Sequence, residues 1–378
     1  MYNYRVATVW GIPIKINISL IVFLPVLAWI IGGGEQIEFY AGLVDGLAGT
    51  SLDVSALQDG STPWVVGSAA AVGLFLSVAV HELGHAAAAR RYGIETSAIT
   101  LWILGGLASL DRIPKEPGRE LVIALAGPAA SVVTGVACYA ALVALPASTT
   151  PAVVFVLGWL AITNITLTVF NLVPAFPMDG GRVLRAFLAR NRPYVDATRI
   201  AARIGTIFAL LFAILGIFAA APMLLLLALF IYSAANGESR VVALEAMLDG
   251  FVVRDVYQAD RPTVDADVSL DAFAQHVLED RQDHHVVRDR SGRVVGLVGL
   301  DALREHGRDD GVTVGDAADT DLPTVDLDTP AFDALRAMEK SPYAFVADDG
   351  ELVSVVERDD FASLLELTGL SKKDRFAQ

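Results

Sequence analysis

His81-Glu82-Leu83-Gly84-His85 closes an uncharged stretch, residues 64–80, and lies within a longer apolar run over 64–89. A helix crosses the hydrocarbon core of a bilayer in about 20 apolar residues, so this run predicts a membrane span. Histidines at i and i+4 project from one helix face, so the imidazoles of His81 and His85 can reach one metal. The glutamate between them, Glu82, can then act as general base on a water at that metal. Ionisable groups at membrane depth are costly and are usually functional. The bland alternative is a pair of histidines satisfied inside a helix bundle, and it gives Glu82 no task.

Three protein ligands plus one open position is the pattern of a catalytic zinc. The third ligand must come from elsewhere in the chain. Asp179 is the candidate, as the only carboxylate between Glu120 and Asp196. It stands in Asn171-Leu172-Val173-Pro174-Ala175-Phe176-Pro177-Met178-Asp179-Gly180-Gly181-Arg182, where two prolines break a helix and two glycines follow. Broken backbone at membrane depth is tolerated only where it lines protein or water. A turn residue in an interfacial loop is the other reading of Asp179.

The composition supports a membrane setting. Of 378 residues, 54% are apolar and 19% charged, against a soluble average nearer one quarter charged. Further spans are predicted at 16–33, 121–145 and 152–173. The 204–235 run carries no charge, and at 1.5 Å per residue it is roughly 48 Å long, too long for one ordinary span. Pro222 marks a turn point, which splits it into 204–221 and a short 223–235. About six spans result. Residues 34–63 contain no Lys or Arg, whereas the 90–119 and 182–203 loops are rich in Arg. The positive-inside rule puts the N-terminus and both basic loops in the cytosol, and six spans return the tail there. No small-residue cleavage pattern follows the first apolar run, which is therefore read as a span rather than a leader. The single cysteine, Cys138, excludes a disulfide framework and a Cys-based metal site.

The tail differs in kind. Residues 1–250 carry 14 Lys+Arg against 15 Asp+Glu, and residues 251–378 carry 14 against 28. Such an acidic, Lys-poor surface suits a halophilic cytosol, where salt screens repulsion between carboxylates. It argues against nucleic acid as a partner. Within the tail, Pro262-Thr263-Val264-Asp265 is echoed by Pro323-Thr324-Val325-Asp326. Each is followed by an amphipathic helical stretch (270–278, 332–338), two strands (285–288 and 294–298, 344–347 and 352–356) and a short helix (301–305, 360–366). Two strand–helix–strand–strand–helix units make one pseudo-symmetric α/β domain. His276, His284, His285 and His306 lie in this tail and are read as surface residues rather than a second metal site.

HELGH followed by NLVPAFPMDGGR resembles the site-2 protease family of intramembrane zinc metalloproteases, over about residues 1–236. Gly127-Pro128-Ala129-Ala130-Ser131 fits that family's small-residue motif, and Leu104-Gly105-Gly106-Leu107-Ala108 resembles its hairpin beside the active site. The resemblance implies one zinc per chain held by His81, His85 and Asp179, Glu82 as base, and Asn171 holding substrate or oxyanion. It implies regulated intramembrane proteolysis of membrane-spanning protein substrates within the lipid bilayer.

The tail resembles a pair of cystathionine-β-synthase (CBS) repeats, at 251–310 and 311–370, as in one subgroup of the family. Such repeats regulate, often bind adenine nucleotides, and provide for a homodimer. Their ribose-binding Thr/Ser-x-x-Asp is replaced here by Gly299 and Ala302 in one repeat and by Glu357 and Asp360 in the other, which puts the nucleotide in question. The expected architecture is an α-helical polytopic membrane domain followed by an α/β tandem CBS domain. The rival functions are a catalytically silent membrane scaffold and a CBS-gated transporter.

Overall fold

A computed structural model of the chain describes residues 3–103, 105–110, 114–280, 282–306 and 311–364. It divides into two units, Met1–Arg240 and Val241–Gln378.

The first unit opens with β1 (Asn3–Val9) and β2 (Ile12–Asn17), followed by α1 (Ile18–Ile31), α2 (Gly34–Ala48), α3 (Val54–Gln58) and α4 (Thr62–Arg91). Then come β3 (Thr96–Trp102), β4 (Gly105–Leu110), α5 (Pro117–Val143), α6 (Pro151–Asn171), α7 (Asp179–Leu188), α8 (Tyr194–Phe218) and α9 (Pro222–Met247). Five helices, α4, α5, α6, α8 and α9, are long and apolar enough to cross a membrane. A sixth crossing requires α1 and α2 to be taken together, and they are bent by 70° at Gly32–Gly33.

The predicted first span is corrected by this break. Ile16 and Asn17 belong to β2, and the 14-residue α1 is about 21 Å long, short of the hydrocarbon core. Asn17 stops the strand and caps the helix, its Oδ1 accepting from Ser19 N at 3.0 Å. The split of the 204–235 run is where the sequence puts it. Ala220 takes a left-handed φ of 48° and Pro222 opens α9. The last helix is not short, however: it runs 26 residues, and the 236–240 segment expected as a linker is helical.

The four strands form one sheet in the order β1-β2-β3-β4, with β4 at an edge. β2 and β3 pair in parallel from Ile14↔Ile99 to Ile16↔Leu101, and β3 and β4 form an antiparallel hairpin. The buried side of β2 and β3 (Ile12, Ile14, Ile99, Leu101) packs with Phe75, Val78 and Ala79 of α4. The sheet is thereby fixed to the helix that carries HELGH. Leu104 of the expected hairpin lies outside the described residues.

The second unit contains α10 (Val253–Val256), β5 (Thr263–Asp265), α11 (Leu270–Asp280), β6 (His284–Arg288), β7 (Val294–Gly299) and α12 (Leu300–His306). The same plan recurs in α13 (Val314–Ala317), β8 (Thr324–Asp326), α14 (Ala331–Ala337), β9 (Tyr343–Asp348) and β10 (Glu351–Glu357), followed by helix at 358–364. Each repeat has a three-stranded sheet with a parallel first pair and an antiparallel second pair. The echoed prolines do equivalent work. Pro262 O accepts from Val286 N at 2.9 Å, and Pro323 O accepts from Phe345 N at 2.8 Å. The sequence reading missed α10 and α13. Asp255 and Asp316 cap them, accepting from Val252 N at 2.9 Å and Thr313 N at 3.1 Å. The end of the second repeat, 365–370, lies outside the described residues.

Candidate active site

His81 and His85 fall on the buried face of α4, where the i, i+4 spacing stacks their rings edge to face with centroids 4.8 Å apart. Each ring is oriented from its far nitrogen. His81 Nδ1 lies 2.9 Å from Ser131 Oγ, and His85 Nδ1 lies 2.7 Å from the carbonyl of Ile123. Both partners belong to α5. With the Nδ1 positions engaged, both Nε2 atoms point to one place. There Asp179, the first residue of α7, brings Oδ2 to 3.1 Å from His81 Nε2 and 3.2 Å from His85 Nε2. The three ligand atoms lie within 4.8 Å of one another, and they are the only such group of His, Cys, Asp or Glu among the described residues.

Small residues make room for this cluster. A Cβ on Gly127 would overlap the His85 imidazole and stand 2.7 Å from His81 Nε2. A Cβ on Gly84 would stand 2.7 Å from the Ala126 carbonyl and 2.9 Å from the Ala130 methyl, so glycine there lets α4 approach α5 closely. The motif Gly127–Ser131 thus supplies both the cradle beneath the imidazoles and the hydroxyl that orients one of them. Two imidazoles and one carboxylate, each buried, suit zinc in donor chemistry, number and spacing.

Glu82, the next residue after His81, lies against the sheet. A Cβ on Gly106 of β4 would stand 2.5 Å from Glu82 Cγ and 2.8 Å from Oε1, so the carboxyl lies directly on the edge strand. Asn171 ends α6, and its Nδ2 donates to Leu167 O at 3.0 Å.

The basic segment after Asp179 is partly misread from sequence. Arg190, Arg192, Arg199 and Arg203 are exposed, as a loop count assumes, but Arg185 is fully buried. The signal was present in Glu120 and Glu238, carboxylates in largely apolar helices, which both bind it.

In the tail, the residues at the ribose-signature positions are engaged within the protein. Asp360 accepts from Arg261, from Gln258 Nε2 at 3.0 Å and from Glu357 N at 2.7 Å. Nor are the tail histidines all at the surface. His285 is buried edge-on to Phe273, and His284 Nδ1 lies 2.9 Å from the Tyr343 hydroxyl.

Comparison with known proteins gives the family of the chain. A model of peptidase family M50 matches residues 69–154 and 146–212, and a model of the CBS domain matches residues 314–367. A zinc metalloprotease of Methanocaldococcus jannaschii is 32% identical over 371 residues, covering 97% of this chain and 98% of its own length. The zinc metalloprotease Rip3 of Mycobacterium tuberculosis is 34% identical over 330 residues, 82% of this chain and 84% of its own. The solved structure of a site-2 protease from Methanocaldococcus jannaschii shares 33% identity over 63% of this chain and 95% of that one, with a TM-score of 0.43. The chain belongs to peptidase family M50, the site-2 protease family, and is a multi-pass membrane zinc metalloprotease with a C-terminal CBS domain.

Proposed function

We propose that this protein is an intramembrane endopeptidase that hydrolyses peptide bonds of membrane-spanning substrates, in regulated intramembrane proteolysis. The observation that carries the reading is the convergence of His81 Nε2, His85 Nε2 and Asp179 Oδ2 at one buried point, with Glu82 one residue away on the same helix. His81, His85 and Asp179 are the ligands. A zinc ion held by them would polarise the scissile carbonyl and lower the pKa of water to about 7. Glu82 takes a proton from the attacking water as its oxygen bonds to the carbonyl carbon. It then delivers a proton to the amide nitrogen as the C–N bond breaks.

A helical substrate hides its peptide bonds in its own hydrogen bonds, so it must unwind first. The edge strand β4 offers unpaired backbone for strand addition, and Gly106 places that backbone against Glu82. Asn171 keeps one amide hydrogen beyond its bond to Leu167 and is the candidate for holding the substrate carbonyl or oxyanion.

In the same reading, residues 1–236 are the protease, and 251–310 and 311–370 are regulatory repeats with the means to pair two copies. The N-terminus and tail are cytosolic, as the exposed Arg90, Arg91, Arg190 and Arg192 favour. The tail's excess of carboxylates suits a cytosol of high salt. Adenine nucleotide is disfavoured at the second repeat, because Asp360 is committed to Arg261 and Gln258. Purified chain in detergent should cut a single-span substrate within its span, and the Glu82→Gln variant should not. Equal cutting by both would remove Glu82 from the chemistry.

A further inference from the structure

The guanidinium of Arg185 is fully buried within the first unit, yet the proposed chemistry does not use it. It is held from two other helices. Nε donates to Glu120 Oε1 of α5 at 2.8 Å, and Nη2 lies 2.6 Å from the same oxygen. Nη1 donates to Glu238 Oε1 of α9 at 2.5 Å. Phe176, three residues before Asp179, has its ring 5.0 Å from the guanidinium, and Tyr194 of α8 has its ring 4.8 Å away.

This hub sits in α7, six residues after Asp179. The helix is only ten residues long, and its first turn is wedged on the loop before it. A Cβ on Gly180 would overlap the carbonyls of Leu172 and Val173, and one on Gly181 would stand 2.7 Å from Phe176 N. Backbone contact thus holds one end of α7, and Arg185 holds the other. The anchor is well chosen, because α5 also supplies the Ile123 carbonyl, Ser131 and Gly127 that seat the two histidines. Both halves of the cluster are therefore referenced to the same helix.

We infer that Arg185 is a positioning residue. Through its ion pairs with Glu120 and Glu238, it sets the rotation of α7 and so brings Asp179 Oδ2 onto the two imidazoles. The inference rests on the reading of Asp179 as a metal ligand. A buried ion pair is a poor source of stability, and a well-packed apolar replacement is often neutral or better. A planar fork bound on two edges and set over two aromatic rings fixes direction in a way an apolar contact does not.

The test uses the full chain and three readouts: thermal midpoint, rate of zinc loss to a chelator, and kcat and KM on a short peptide. In Arg185→Met/Glu120→Met the midpoint should stay near the parent's. Zinc should leave about tenfold faster, in line with the effect of groups that orient ligands, and kcat should fall with KM little changed. Arg185→Lys should recover only part of both. Parent-like zinc retention and kcat in a folded Arg185→Met/Glu120→Met chain would overturn the inference. If that variant does not fold, Glu238→Gln decides, since it keeps the Arg185–Glu120 pair: faster zinc loss supports the clamp, and parent-like retention with parent-like kcat refutes it. Asp179→Ala separates the two levels. If it retains zinc as the parent does, the ligand assignment fails. If it loses zinc while every Arg185 and Glu238 variant retains it, only the positioning role fails.

Discussion

Gly127→Ala tests the site with a single methyl group. The added Cβ would stand 2.5 Å from His85 Cε1 and 2.7 Å from His81 Nε2. Ordinary carbon–carbon contact begins at about 3.5 Å, so the His85 ring must retreat by about 1 Å. Metal–ligand distances tolerate about 0.2 Å, and the ring cannot pivot freely because its Nδ1 is held by the Ile123 carbonyl. Loss of an orienting contact alone costs about 10–100-fold in metal affinity. A methyl inside the cluster should cost at least about 100-fold, or about 2.8 kcal/mol. Overpacking costs about 1–3 kcal/mol, and alanine returns about 1 kcal/mol over glycine inside a helix, so the fold should survive. The assay is competition with a zinc chelator on detergent-purified chain, with a thermal scan of the same sample. A folded Gly127→Ala chain with parent affinity for zinc would refute the placement of Gly127 beneath the imidazoles.

Other outcomes follow from the same geometry. Ser131→Ala removes the 2.9 Å partner of His81 Nδ1 and should weaken zinc binding by about tenfold, measured by the same competition. Gly106→Val places a branched side chain against the Glu82 carboxyl and should lower peptide cleavage sharply while zinc content stays at the parent level. Removal of residues 251–378 should leave zinc and hydrolysis of a short peptide in place and change the cleavage of membrane-spanning substrates. With 28 acidic against 14 basic residues in 251–378, limited proteolysis should cut the tail faster in dilute salt than in molar salt.

The local motifs could be read without a structure because their meaning is set by short spacing. HELGH places two imidazoles on one helix face whatever surrounds it. The prolines and glycines around Asp179 mark broken backbone, and Pro222 marks the break between α8 and α9. The echoed Pro-Thr-Val-Asp located both tail sheets. What stayed hidden depends on contacts distant in sequence. β2 merges with the apolar run of α1, and its partner β3 lies about 80 residues further on, so no local period announces the sheet. The bend at Gly32–Gly33 is set by close packing, since a Cβ on Gly32 would overlap the Pro63 carbonyl. Arg185 was counted with surface arginines because a sequence does not show that Glu120 and Glu238 converge on it. The first turns of α10 and α13 were legible in principle, from an Asp three residues after each cap, but a four-residue helix has no hydrophobic period to draw attention to it.

On this reading the zinc site is built from His81, His85 and Asp179 and is separate from the base Glu82. Elemental analysis of purified chains tests it most directly. About one zinc per chain is expected in the parent and in Glu82→Gln, and a large loss of zinc in both His81→Ala/His85→Ala and Asp179→Ala. Undiminished zinc in the double histidine variant, with the chain folded, would contradict it.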